Sequence, residues 1–288
     1  MRLAVAFVPQ LVREQATRVC LVVDVLRATT TLTTLLERGV YEVGLAADSG
    51  AARAAKAAAP DALLLGEEGG LRPCGFDLGN SPREVAVLAR AGAPSRAICC
   101  TSNGTGALRA VAGAPIVLLA CLRNATAVAR RASELARQRG LDVTIVCSGV
   151  SGGRAFALDD ALVAGFLVES LATHADGAGA DPASLDDAAT AARALYRAEL
   201  GTDLATTPSR WAEALRRTAS GRHLEAIGLG EDIAFCAAVD ATAVVPAVAA
   251  DGASVTVVDS RRTMPAANRA FAASEEKVGA VAARPWVR

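Results

Sequence analysis

The run Arg18–Asp24 (RVCLVVD) does most to limit what this chain can become, because it is apolar at nearly every position and closes on an acid. A strand with apolar residues on both of its alternating faces must be covered on both sides, which is the situation of a central strand in an α/β sheet. The flanking pattern agrees. Ala28–Arg38 reads as a helix stopped by Gly39, Tyr41–Ala46 as a strand, Ser49–Ala59 as a helix and Ala62–Leu65 as a strand. Arg96–Cys100, Pro115–Ala120 and Asp142–Ser148 read as further strands, with helices at Gly104–Val111 and Asn124–Gln138. Strands alternating with helices make βαβ units, so the expected class is α/β, layered α/β/α with a largely parallel or mixed sheet.

Beyond Gly149–Gly153 the pattern turns helical, with Phe156–Ala172, Ser184–Glu199, Ser209–Arg216 and His223–Gly228, before β-like runs at Ala241–Ala247 and Ser254–Val258. The expected organisation is an α/β lobe over 1–150 carrying the functional loops, a helix-rich lobe over 151–260 packed on it, and a loosely held tail over 261–288. No short-period repeat is present, although two structurally related lobes are compatible with the pattern.

Composition removes several function classes. Acidic and basic residues balance at 30 each and aromatics are 3%, so the electrostatic and stacking signature of a nucleic-acid binder is missing. Lys56 and Lys277 are the sole lysines, an Arg bias that genomic base composition explains. No apolar stretch is long enough to span a bilayer, and Met1–Phe7 is too short for a signal peptide. The 7 cysteines form no CxxC pair and sit mostly in apolar runs, as buried thiols of a reducing cytoplasm would. A homo-oligomer is compatible with all of this.

In an open α/β sheet, ligands meet the loops beyond the carboxyl ends of the strands. Four such segments carry polar residues. In Asp24-Val25-Leu26-Arg27-Ala28-Thr29-Thr30-Thr31, a carboxylate can hold a metal and a planar guanidinium can grip a phosphoryl group; Asp24 as a helix cap and Arg27 as a surface residue fit equally well. Glu67 and Asp77 lie in a long Gly-rich loop able to fold around an ion, with Asn80 or Ser81 capping a helix that has Pro82 at its first position. Ser102, Asn103, Gly104 and Thr105 lead from a strand into a helix start, an oxyanion cradle that lacks the lysine and spacing of a P-loop. Ser148 and Gly149, with Arg154 nearby, repeat the anion-binding theme ahead of Asp159 and Asp160; for Asp159 a dipole-favoured helix-terminal charge is the plain alternative.

Familiar phosphatase devices do not fit. Cys147 and Arg154 are seven apart where a cysteine-dependent phosphate loop needs six, and Asp24 has Leu26 where a haloacid-dehalogenase-type site needs a second Asp. His174 and His223 lie in polar helical surroundings, which gives a phosphohistidine route little support. A carboxylate-held metal, with Arg and backbone amides gripping phosphate, is the simplest remaining chemistry.

Taken together, VVDVLRATTT, GEEGG…GFDLGNSP, CTSNGT, SGGRAFALDD and GEDIAFCAAVD…VVP resemble the 2-phosphosulfolactate phosphatase family, in order from about Arg18 to Pro246. The resemblance implies Mg2+-dependent hydrolysis of 2-phospho-3-sulfolactate, a small anionic phospho-acid on the route to coenzyme M. Carried over, the motif residues are Asp24, Arg27, Glu67, Asp77, Asn80, Ser81, Ser102, Asn103, Thr105, Ser148, Asp160 and Asp232. Asp159 stands where the family tends to have Glu, and Ser102 where Thr is common. On this basis Asp24, Arg27 and Asp77 are expected to be catalytic, and Asp24, Glu67, Asp77 and Asp160 to hold Mg2+. Ser102–Thr105, Ser148, Gly149 and Arg154, with Arg123 in support, are expected to bind substrate. Asp232 is read as a helix cap, and a covalent aspartyl-phosphate on Asp24 stays open beside direct attack by water.

Overall fold

The computed structural model describes residues 1–88, 93–101, 104–176, 184–202, 204, 207–251 and 254–260. In chain order its elements are β1 (Arg2–Ala6), β2 (Arg18–Val23), α1 (Ala28–Glu37), β3 (Glu42–Ala46), α2 (Ser49–Ala58), β4 (Leu63–Gly66), α3 (Pro82–Ala86), β5 (Arg96–Cys100), α4 (Gly104–Ala110) and β6 (Ile116–Ala120). They continue as α5 (Ala125–Arg139), β7 (Asp142–Cys147), α6 (Leu158–Asp176), β8 (Ser184–Leu185), α7 (Asp187–Leu200), α8 (Pro208–Arg216), α9 (Ala219–Ala226), α10 (Glu231–Cys236), β9 (Pro246–Asp251) and β10 (Ser254–Asp259). The expected tail, 261–288, lies outside the described residues. Among the described residues no helix is long and apolar enough to cross a membrane.

The strands form one mixed sheet in the order β4-β5-β3-β10-β9-β6-β2-β7-β1-β8. It consists of two parallel blocks, β4-β5-β3 and β6-β2-β7-β1-β8. The β9–β10 hairpin joins them, antiparallel to β3 on one side and to β6 on the other. Three antiparallel steps therefore separate the blocks, which run in opposite directions. The β6–β9 seam has a single register pair, Leu118↔Ala247.

The period-2 alternation of each strand sends its side chains into different cores. From β2, Val19, Leu21 and Val23 join Ile145, Phe166, Tyr196 and Trp211 in the core under α5 to α8. Cys20 and Val22 face the other way and meet Val43, Leu65 and Cys99 of the smaller block together with Leu32, Leu35 and Leu36 of α1. Leu64 and Ile98 turn outward to Ala52 of α2 and to Phe76. Helices thus cover both outer faces while α1 fills the space shared by the two blocks, and this α/β/α layering is why RVCLVV has no polar side.

Some boundaries differ from the sequence reading. Arg2–Ala6 is a strand paired with β7, which the short opening apolar run by itself does not announce. The late strand starts at Pro246 rather than Ala241, since Val244 and Val245 are buried by packing while the Val244 carbonyl accepts from Asn124 instead of a ladder partner. The helix expected at His223–Gly228 begins earlier, at Ala219, where the Thr218 hydroxyl accepts from the Gly221 N–H and caps it.

Candidate active site

Asp24 follows the last residue of β2, and the threonines after it hold the turn into α1. The Thr29 hydroxyl donates to the Asp24 carbonyl at 2.8 Å and accepts from the Asp24 N–H at 3.1 Å. Thr30 donates to the Val25 carbonyl, Thr31 to the Asn80 carbonyl, and Thr33 and Thr34 to carbonyls one turn back. All five hydroxyls are buried and satisfied, so a polar TTTLTT helix can lie in the interior without an unmade hydrogen bond. The Leu26–Arg27 peptide in this turn is cis. Asp24 Oδ1 accepts the Ala28 N–H at 3.1 Å, so this residue does cap the helix start, and it does so while 7% exposed in an acidic neighbourhood.

Four carboxylates shape that neighbourhood. Asp24 is raised to about 7, first by burial and then by the charges of Asp159 and Glu67, while the Ala28 N–H and Arg27 oppose the rise. Burial likewise raises Asp159 to about 6, against the opposing hydrogen bond from Ser220 at 3.0 Å. Asp160 is pushed well above the ordinary range, first by burial and then by Asp159 and Asp24. Both of its oxygens accept backbone N–H groups, from Val25 at 3.1 Å and Gly149 at 3.0 Å, so Asp160 ties the loop after β2 to the loop after β7. Glu67, at the end of β4, accepts the Gly70 N–H at 2.8 Å and curls its own loop. A side chain at Gly66 would bring its Cβ to 2.2 Å from the Cys100 carbonyl oxygen, which explains the glycine at that close strand approach.

Arg27 is buried, not a surface residue. Its Nη1 donates to Asp232 Oδ2 at 2.9 Å and its Nη2 to the Gly70 carbonyl at 2.6 Å. Asp232 Oδ1 in turn accepts from the Ser81 hydroxyl at 2.6 Å. Asp232 therefore corrects the cap reading: α10 is capped at Gly230 without a side-chain bond, and the Asp232 carboxylate is the buried ion-pair partner of Arg27.

The remaining expected residues divide. Ser148 is fully buried, lines one pocket with Asp24 and Thr101, and its Oγ has no hydrogen-bond partner among the described residues. Gly149 adopts a positive φ and bends the chain back toward Ala155. Arg154 is exposed on that loop. The Asp77 carboxylate is engaged away from Asp24, by the Leu64 N–H at 2.8 Å and Lys56 at 3.2 Å. Arg123 is spent on Glu37 at 3.3 Å and on the Phe235 ring, 4.0 Å from its centroid. Ser102 and Asn103, and the side chains at 104 and 105, lie outside the described residues, while Gly104 begins α4. Sequence reasoning named Asp159 but left it out of the expected site as a dipole-favoured helix-terminal charge, and it passed over Ser220. The one signal for Asp159 was its position beside Asp160 at a helix start; for Ser220 there was none.

Among the described residues no three His, Cys, Asp or Glu side chains form a ready-made metal-ligand group. The available donors are hard carboxylate oxygens, chiefly Asp24 Oδ2, which has no protein partner among the described residues, and Asp159. Their shared repulsion is the kind that a cation relieves, and a small divalent ion that keeps several waters needs few protein ligands. The residues fit such an ion.

Comparison with known proteins agrees with the motif reading. The family described as 2-phosphosulpholactate phosphatase matches residues 6–251. A Deinococcus radiodurans protein is 40% identical over 79% of this chain and 86% of its own length. Relatives from Gloeobacter violaceus (38%; 88% of this chain, 98% of the relative) and Thermus thermophilus (41%; 79% and 86%) are similar over comparable spans. All three bear the name probable 2-phosphosulfolactate phosphatase. The fold and this kinship define an enzyme of the phosphoric monoester hydrolase class. Within that class, the chain belongs to the 2-phosphosulfolactate phosphatase family.

Proposed function

We propose that this protein hydrolyses 2-phospho-3-sulfolactate to 3-sulfolactate and phosphate with Mg2+ as its cofactor. The observation that carries the reading is the meeting of Asp24, Asp159 and Glu67 with Arg27 beside the pocket that Asp24 shares with Ser148. A pure anion binder gains nothing from buried carboxylates next to its ligand, whereas a metal-assisted phosphatase requires them. Asp24 and Asp159, with Glu67 in support, would hold the ion, which when bound polarises the phosphoryl oxygens and neutralises their charge. Asp160 keeps the two loops in register through its two N–H bonds.

Arg27 has spent two of its five N–H groups on Asp232 and Gly70, and the other three, one on Nε and one on each terminal nitrogen, can serve equatorial phosphoryl oxygens. Ser148 can donate its unspent hydroxyl to the same group or to the attacking water. Arg154, exposed on the neighbouring loop, suits the substrate's carboxylate or sulfonate.

The test is phosphate release by metal-stripped protein from racemic 2-phosphosulfolactate, phospholactate and phosphoglycolate, with and without Mg2+. Release restored by Mg2+ and fastest on the sulfonate is the expected result. Equal rates on all three would overturn the substrate, and release from none would overturn the activity.

A further inference from the structure

We propose that Asp232 is a positioning residue for this reaction: it fixes the direction of the Arg27 guanidinium, so that α9 and α10, remote in sequence from the strand-end loops, form a structural part of the active site. The inference rests on the phosphatase reading and adds to it a residue that touches neither substrate nor metal.

The geometry begins at Arg27. Its side chain and that of Asp232 are each 2% exposed and meet at 2.9 Å, a charge-assisted bond held out of water. One such bond leaves a guanidinium free to swing about it. A second, from Nη2 to the Gly70 carbonyl, removes that freedom, and Ser81 fixes the carboxylate by donating to its other oxygen. Ser81 itself caps α3, accepting from the Glu84 N–H at 3.2 Å, so the chain of contacts ends in a rigid element. The result is a continuous line, Ser81–Asp232–Arg27–Gly70, joining α3, α10, the catalytic turn and the acidic loop.

Two further contacts from the same segment reach other parts of the site. Ser220 of α9 donates to Asp159 Oδ1 at 3.0 Å. His223 Nε2 lies 3.1 Å from the Gly69 carbonyl oxygen, and the Ile227 side chain packs so tightly on Gly70 that a Cβ there would stand 2.8 Å from Ile227 Cδ1. Residues 218–232 thus hold the acidic loop, Asp159 and Arg27, three pieces that come from separate places in the sequence. A buried pair between two distant segments is weak as a source of stability, because desolvation of both charges offsets most of the attraction. Its retention at this place is better explained by aim, since phosphoryl transfer depends on the placement of the charges around the transferring group.

The test is a double-mutant cycle on phosphate release in Mg2+, using Asp232→Asn, Arg27→Lys and the double variant. An Asn can accept from Arg27 through its Oδ1 and donate to the Ser81 hydroxyl through its amide, so the fold is kept while the charge that sets the guanidinium is lost. A fall in kcat of about 10–100-fold in Asp232→Asn is expected, with KM changed less, and with the double variant no worse than Arg27→Lys alone. Asp232→Glu should recover part of the loss. If the two single effects multiply in the double variant, or if Asp232→Asn turns over like the parent, Asp232 does not act through Arg27 and the proposal is wrong. Should Asp232→Asn not fold, Ser81→Ala replaces it in the same cycle, with a smaller loss and the same non-additivity expected. Wild-type protein that releases no phosphate would be a failure of the phosphatase reading itself, which the cycle separates from a failure of the positioning role.

Discussion

Asp24 brings a charge into a site where burial and the charges of Asp159 and Glu67 oppose its ionisation, with a carboxyl pushed up to about 7 as the consequence. Replacing it with Asn keeps the acceptor for the Ala28 N–H and removes the charge, so Asp24→Asn should lose phosphate release by at least about 100-fold while making the metal-free fold more stable at pH 8. Urea unfolding in EDTA set beside the activity assay checks both halves; a destabilised variant would contradict the burial argument. The thiols show the same physics without the function. Burial raises Cys20 to about 12 and Cys100 to about 11, and pushes up Cys99, Cys121, Cys147 and Cys236 as well. Cys74 alone is exposed. A thiol reagent at pH 8 should therefore modify one of the seven cysteines quickly in the native protein and the rest only on unfolding. Rapid reaction of two or more would mean that the strand ends are more open than described.

At the scale of elements, the abundant alanine has a structural use in the contact of α6 with α7. A Cβ at Gly165 would come within 2.1 Å of the Ala192 carbonyl oxygen, so the two helices touch backbone to backbone. Gly165→Ala should then cost about 2 kcal/mol or more through forced separation of the helices, measured as a shift in the urea midpoint. An unchanged midpoint would show that α7 can move aside freely. The close contact could not be read beforehand, because Gly165 sits within an ordinary helical pattern and its partner is 27 residues away in an Ala-rich segment. Central strands were legible for the opposite reason: RVCLVV is apolar on both faces, a local property that forces burial wherever the strand lies. The site was legible in the same uneven way. Asp24 and Glu67 stand at the ends of apolar runs, where period and position mark them. Asp232 could be seen only as an acid at a helix start, since nothing local to GEDIAF records that Arg27, 205 positions earlier, lies against it. Asp77 was marked by its Gly-rich setting, which says nothing of the contacts that Lys56 and the Leu64 amide make with its Oδ2.

For the molecule as a whole, the carboxylate cluster sets how stability depends on pH. Asp24 is raised from 3.8 to about 7 and Asp159 from 3.8 to about 6, so the folded metal-free chain holds protons that the unfolded chain has already released. Stability is then unaffected below about pH 4, where both states are protonated, and falls as pH rises, because the native state binds more protons. Asp24 extends that fall to about pH 7 and Asp159 to about pH 6. A cation bound by the same oxygens reverses the balance, since it prefers the ionised carboxylates and competes with the protons. In EDTA the protein should therefore unfold at lower urea at pH 8 than at pH 5, and millimolar Mg2+ should raise the midpoint at pH 8 more than at pH 5. This readout does not depend on turnover. A chain whose stability rises from pH 5 to pH 8 in EDTA, and which ignores Mg2+ at both, would show that these carboxylates are neither mutually opposed nor a cation site.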